Sequence, residues 1–208
     1  MLPSDLDFLE ALQTDSFEKA SAATASSYPP ERRMGAGAVA AYLDLRRYLI
    51  VSTVRPSGSP HAALSAFVFA GECFWLPTME GTARARNLAS TPYASIVVAD
   101  GDGADHKAVL AEGRTELVAR PEPAAVDAWN ARDGRLPEWA SRWIELRPEK
   151  LFSYDAGLPE PIQNETPETL VGRRCDECGD TFTVHPGDAA RCPSCGSDAT
   201  GVASEPFL

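Results

Sequence analysis

Residues 51–88, VSTVRPSGSPHAALSAFVFAGECFWLPTMEGTARARNL, constrain the fold more than any other stretch. Val51 to Arg55 is apolar and β-branched, and Pro56-Ser57-Gly58-Ser59 is dense turn chemistry. The chain then returns through His61 to Ala70, turns at Ala70-Gly71-Glu72 and runs out again as Cys73-Phe74-Trp75-Leu76, with Pro77 expected to end the strand. Three antiparallel strands in close succession make a meander, whose faces must be covered by a barrel or a sandwich.

The segment after the third strand carries chemistry. Gly81 frees the backbone, Thr82 stands where a helix N-cap belongs, and Arg84 and Arg86 fall in the first turns of the helix. A helix start presents unpaired N–H groups and the positive end of the dipole, so it favours an anion. Arginine there is locally unfavourable unless an anion shares the site. A cofactor phosphate held by Thr78, Thr82 and Arg84, with Arg86 assisting, satisfies that requirement. Two arginines that simply solvate a surface helix are the other reading.

These residues resemble the split β-barrel of the pyridoxamine 5′-phosphate oxidase-like flavoproteins, including their deazaflavin-using branch. The resemblance rests on Ser52-Thr53-Val54-Arg55-Pro56, Gly58-Ser59-Pro60-His61, and Gly-Thr-Ala-Arg-Ala-Arg-Asn-Leu at 81–88, and it spans roughly residues 35–155. It implies a homodimer with the cofactor at the subunit interface and its phosphate on the helix near Thr82. It also implies that Ser65, Ala66 and Phe67 lie on the strand beside the ring system and bind largely through backbone groups. Where the family often has lysine, proline and aspartate, this chain has Arg84, Leu64 and Ser57, which leaves the cofactor open among FMN, a deazaflavin coenzyme and heme. The short phosphate site favours FMN.

The remaining candidates carry two readings each. His61 contacts the cofactor or substrate, or is a hydrogen-bonded strand histidine. Trp139 and Trp143 cover the ring from the partner subunit, or pack structurally. Cys73 reads as a small core residue. No Ser/His/Asp set or carboxylate pair stands out along the barrel, so the cofactor is expected to carry the reaction.

With 30 acidic against 19 basic side chains the formal charge is −11, which argues against nucleic acid as the main partner. No apolar run approaches a membrane span and the first residues are not a signal sequence, so the expectation is a soluble, cytoplasmic protein without a membrane contact. Residues 4–13 read as a helix and residues 14–33 as a mobile connection. Residues 36–47 read as a helix across the barrel mouth. Strands are expected at Tyr93–Ala99, Lys107–Ala119 and Trp143–Tyr154, with Gly113 at a bulge or barrel corner and Pro148 at a break. A helix is expected at 121–132. The acidic turn at 100–105 lacks the terminal glutamate and flanking helices of a calcium loop.

Beyond a proline-rich polar linker, Cys175-Asp-Glu-Cys178-Gly179 and Cys192-Pro-Ser-Cys195-Gly196 form two knuckles able to close a tetrahedron of thiolates about one zinc ion. So short a module needs its metal to hold together; two disulfides are the other reading, which a cytoplasmic setting disfavours. Four protein ligands leave no open position, so the ribbon reads as structural, and His185 is not needed as a ligand. Iron in rubredoxin-like knuckles would instead make it a redox relay.

The expected chain is therefore mainly β with a few helices. An N-terminal helix and connection (1–34) precede a six-stranded split β-barrel of the FMN-binding type (35–155), a linker (156–170) and a zinc ribbon with tail (171–208). The expected function is a flavin-dependent oxidoreductase acting on a small organic substrate. The alternative is a non-catalytic flavin- or heme-binding protein whose ribbon docks a protein partner.

Overall fold

Successive antiparallel strands, several of them burying alternate residues, form a barrel in the first part of the chain. The computed structural model describes residues 3–101, 105–157, 171–179, 181–184, 191–198 and 200–202, and contacts divide the chain into two units, Met1–Glu160 and Pro161–Leu208. The first unit runs α1 (Pro3–Glu18), α2 (Ala22–Ser27), α3 (Ala36–Leu45), β1 (Tyr48–Val54), β2 (Pro60–Ala66), β3 (Val68–Ala70), β4 (Cys73–Thr78), α4 (Ala83–Ser90), β5 (Tyr93–Asp100), β6 (Lys107–Val118), α5 (Pro123–Asp133) and β7 (Arg142–Asp155).

The sheet is antiparallel throughout, in the order β2-β1-β5-β6-β7-β4-β3. Its two edge strands are a single run of chain interrupted only at Phe67, whose N–H turns to the Arg47 carbonyl (3.2 Å). One continuous segment thus pairs with β1 by its first half and with β4 by its second. The seven strands curl into a six-stranded split barrel in which this shared segment joins the two ends of the sheet. Inside lie Leu49, Val51, Phe67, Phe74, Leu76, Ile96, Val98, Val109, Ile144, Leu146 and Leu151. A second apolar cluster, including Cys73, Trp75, Trp129 and Trp143, seals α5 against the outside of β3, β4 and β7.

Gly113 sits where the β6–β7 register shifts, opposite Pro148, and a Cβ there would lie 2.0 Å from the Arg147 carbonyl oxygen. The expected barrel corner is therefore real, and only glycine allows the two backbones to approach so closely. Pro77 does not end its strand: β4 continues to Thr78, with Pro77 opposite Trp143. The pairing of β3 with β4 stops at Trp75, so beyond it β4 has a neighbour on one side only and a missing N–H is tolerated.

The N-terminal segment also differs from expectation. Helix α1 extends to Glu18, and residues 14–33 include helix α2 and a 3-10 turn at Pro30–Arg32. Long-range contacts hold α1: Leu9 is fully buried, the Asp5 carboxylate accepts the Glu72 N–H (3.0 Å), and Ser16 Oγ accepts the Leu151 N–H (2.8 Å). Helix α3 buries Val39, Ala40, Tyr42 and Leu43, as its spacing predicts.

In the second unit β8 (Val171–Cys175) lies between β9 (Thr181–Val184) and β10 (Thr200–Val202) in an antiparallel three-stranded sheet. His185, most of the linker and the centre of the acidic turn lie outside the described residues. No described helix is long and apolar enough to cross a membrane.

Candidate functional site

Helix α4 begins as its sequence dictates. Thr82 caps it, its Oγ1 accepting the Ala85 N–H (3.3 Å), and Gly81 before it adopts φ 82°. Thr78, fully buried at the end of β4, lies 3.1 Å from Thr82, hydroxyl to hydroxyl. Arg84 folds back beneath the helix start. Its Nε donates to Thr78 Oγ1 (2.9 Å), Nη2 to the Pro77 carbonyl (3.0 Å) and Nη1 to the Leu64 carbonyl (3.3 Å). Burial lowers its pKa. The arginine that looks misplaced at a helix start is thus satisfied by the protein's own oxygens, and it ties α4 to β4 and β2. Arg86 donates to the Gly81 carbonyl and braces the loop. The two hydroxyls are spent within the turn, Thr82 Oγ1 also donating to the Met79 carbonyl (3.1 Å), so what remains for an anion is the N–H groups of Ala83 and Arg84 and the charge of Arg84.

A buried network supports this turn from behind. Asn87 Nδ2 donates to Thr53 Oγ1 (2.9 Å), which lies 3.4 Å from His61 Nδ1. His61 is therefore anchored to the neighbouring strand, as a hydrogen-bonded strand histidine would be. Nothing in the spacing of Asn87 or Thr53 marks them in the sequence, because their partnership joins a helix to a strand 34 residues away.

Beside Arg84 opens a cavity of about 360 Å³ lined by Ser65, Ala66, Leu64, Arg47, Tyr48, Trp129, Asp133, Pro137 and Trp139. Ser65 is 5 % exposed and its hydroxyl has no hydrogen-bond partner. Ser65, Ala66 and Arg84 therefore meet, with Thr78 and Thr82 joined through Arg84. Phe67 does not join them by its side chain, which is buried in the barrel core at 6.0 Å from Phe74, ring to ring. Trp143 is likewise structural, edge-on to Trp129 at 5.1 Å, whereas Trp139 is 53 % exposed at the cavity. Sequence reasoning misses Arg47, Tyr48, Trp129 and Asp133, which only folding gathers here. A larger cavity of about 870 Å³, between α1–α2 and the outside of β5–β7, contains none of the expected site residues. Cys73 is buried, and burial pushes its thiol up to about 12, so it is no nucleophile.

In the second unit the sulfurs of Cys175, Cys178, Cys192 and Cys195 all lie within 4.8 Å of one another. Cys175–Cys195 and Cys178–Cys192 are separated by 3.5 and 3.6 Å. Tetrahedral zinc–thiolate bonding places its sulfurs about 3.8 Å apart, so the four cysteines fit that ion. Each knuckle closes on a left-handed glycine, Gly179 (φ 76°) donating to the Cys175 carbonyl and Gly196 (φ 73°) to that of Cys192. The Cys178 backbone N–H is the main cause that draws the Cys175 thiol down to about 7.

Solved structures are similar to part of this chain. A conserved hypothetical protein from Mycobacterium tuberculosis is 22% identical with a TM-score of 0.55, over 67% of this chain and 98% of that one. The heme storage protein HutZ from Vibrio cholerae is 20% identical (TM-score 0.48; 56% of this chain and 92% of that one). An F420 reductase is 25% identical (TM-score 0.42; 53% and 93%). No curated protein matches the sequence. The family model described as pyridoxamine 5′-phosphate oxidase matches residues 36–156, more than half of the chain and the whole barrel from α3 to β7, so this protein belongs to that family.

Proposed function

We propose that the barrel binds a flavin-type cofactor, FMN in the first place, and serves an oxidoreductase that moves a hydride between it and a small organic substrate. The observation that carries this reading is the adjacency of the capped turn at Thr78, Thr82 and Arg84 to a cavity whose buried Ser65 hydroxyl lacks a partner. The turn offers a short anion site suited to one terminal phosphate, and the cavity offers an apolar wall for a planar ring. The flavin supplies the hydride chemistry when bound, and the protein binds, orients and shields it. The free α4 N–H groups meet the phosphate, Thr78 and Thr82 hold the turn in shape around it, Arg84 adds charge while holding β2 against the turn, and Arg86 keeps the loop in place.

Self-association fits the same surface. Tyr48, Ile50, Val54 and Leu64 are 58, 47, 42 and 66 % exposed, and the register sets Ile50 beside Leu64 on the outward face of β1 and β2. A second copy covering this apolar strip would also cover the mouth beside Leu64. The four cysteines of the second unit hold a structural zinc ion, as thiolates kept reduced in a cytoplasmic setting.

An absorption spectrum after loading with FMN, a deazaflavin coenzyme or heme tests the cofactor reading. Retained flavin bands and turnover with reduced nicotinamide are expected, with Arg84→Ala weakening FMN retention about tenfold or more. Protein left colourless by all three refutes it. A retained cofactor without turnover, with a protein partner lost on deleting residues 171–208, selects the non-catalytic alternative.

A further inference from the structure

Two molecules that exchange a hydride must share one cavity. With a flavin bound as proposed, on which this inference rests, the Ser65–Ala66 wall faces the cofactor. The same cavity is also lined by residues given no part in holding the cofactor: Arg47 and Tyr48 at the entry to β1, Trp129 and Asp133 on α5, and Trp139 before β7.

The charges lining the cavity do not cancel. Asp133 is the carboxylate of two guanidinium groups at once, bonded to Arg47 Nη1 (2.6 Å) and Arg132 Nε (3.0 Å). Arg47 and Arg84 both line the cavity, and Asp133 is the one carboxylate among its lining residues, in a chain whose formal net charge is −11. The arginines are not equally able to meet a ligand. Arg84 directs its N–H groups to Thr78, Pro77 and Leu64, and the Arg132 side chain is only 17 % exposed. The Arg47 side chain is 59 % exposed, and its ion pair with Asp133 is shared. A guanidinium so placed takes a carboxylate by two parallel hydrogen bonds at small desolvation cost. In the same cavity Trp139 leaves 53 % of its surface uncovered, a flat apolar face on which a ring can lie.

We infer that the substrate is a small planar aromatic carboxylate, its anion held by Arg47 and its ring against Trp139. Neutral planar compounds enter the same cavity without the anionic contact and bind more weakly.

The test titrates FMN-loaded protein by calorimetry with 2-naphthoate and with its neutral counterpart 2-naphthamide. The carboxylate is expected to bind about tenfold tighter, the scale of one charge-assisted contact. In Arg47→Gln this advantage vanishes while amide affinity stays unchanged, and Trp139→Ala weakens both ligands. Equal affinities in the unsubstituted protein overturn the inference, as does a carboxylate preference that survives in Arg47→Gln. Full affinity in Trp139→Ala, or displacement of the flavin bands by naphthoate, overturns it as well. If the protein takes up no FMN, the same titration of the unloaded protein still reads Arg47, so failure of the cofactor reading and failure of this one are told apart.

Discussion

Arg84 and Glu122 show how the surroundings of a side chain set its meaning. Arg84 at a helix start suggests a phosphate ligand, yet its donors already hold three protein oxygens, so its first task is to hold α4, β4 and β2 together. Glu122 precedes α5 and is exposed as a residue, but its carboxylate lies over the Gly71 turn, where a Cβ would come within 1.7 Å of Oε1. Desolvation of that carboxylate, then the charge of Glu145, raises its pKa above the ordinary 4.5. A raised carboxyl pKa means that the folded chain binds the extra proton, so stability falls as pH rises from about 4.5 through the folded value. Glu122→Gln should therefore raise the melting temperature at pH 7, and the gain should fade as the pH is lowered below the ordinary carboxyl range. Thermal melts of both proteins across that range check the sign. A gain that grows on acidification would contradict it.

At the scale of elements, closure depends on two local irregularities. Phe67 lets one run of chain serve as both edges, and Gly113 opposite Pro148 turns the long β6–β7 pair through the barrel corner. A methyl group at Gly113 meets backbone atoms of Arg147 and Pro148, which cannot move aside as a flexible side chain would. Gly113→Ala should cost about 2 kcal/mol or more, measured by urea unfolding. A change within a few tenths of that unit would show that the corner relaxes. The barrel corner is legible because glycine in a strand has few other reasons to stand there. The extension of α1 and the presence of α2 are not legible, since Ser- and Ala-rich sequence is compatible with helix or coil and the docking contacts of α1 lie up to 135 residues away.

For the whole molecule, the two units depend on different forces. The barrel has an apolar interior, whereas the small C-terminal sheet carries a cluster of thiols. Chelation should therefore unfold residues 171–208 and leave the barrel transition in place. Metal analysis should find about one zinc ion per chain, lost in Cys178→Ser and kept in Cys73→Ser. A single transition that shifts as a whole on chelation would show that the units are not independent. Sequence alone determined what short-range chemistry dictates: the alternating strands, the Thr82 cap, the corner glycine and the cysteine spacing. Each is a relation among near neighbours along the chain, where propensity and backbone geometry act. Tertiary structure alone decided that Arg84 bonds inward, that Ser65 is buried without a partner, and that Arg47, Asp133 and Trp139 share one cavity. Those relations arise only when closure of the barrel brings distant strands and a helix together, and no pattern along the chain records them.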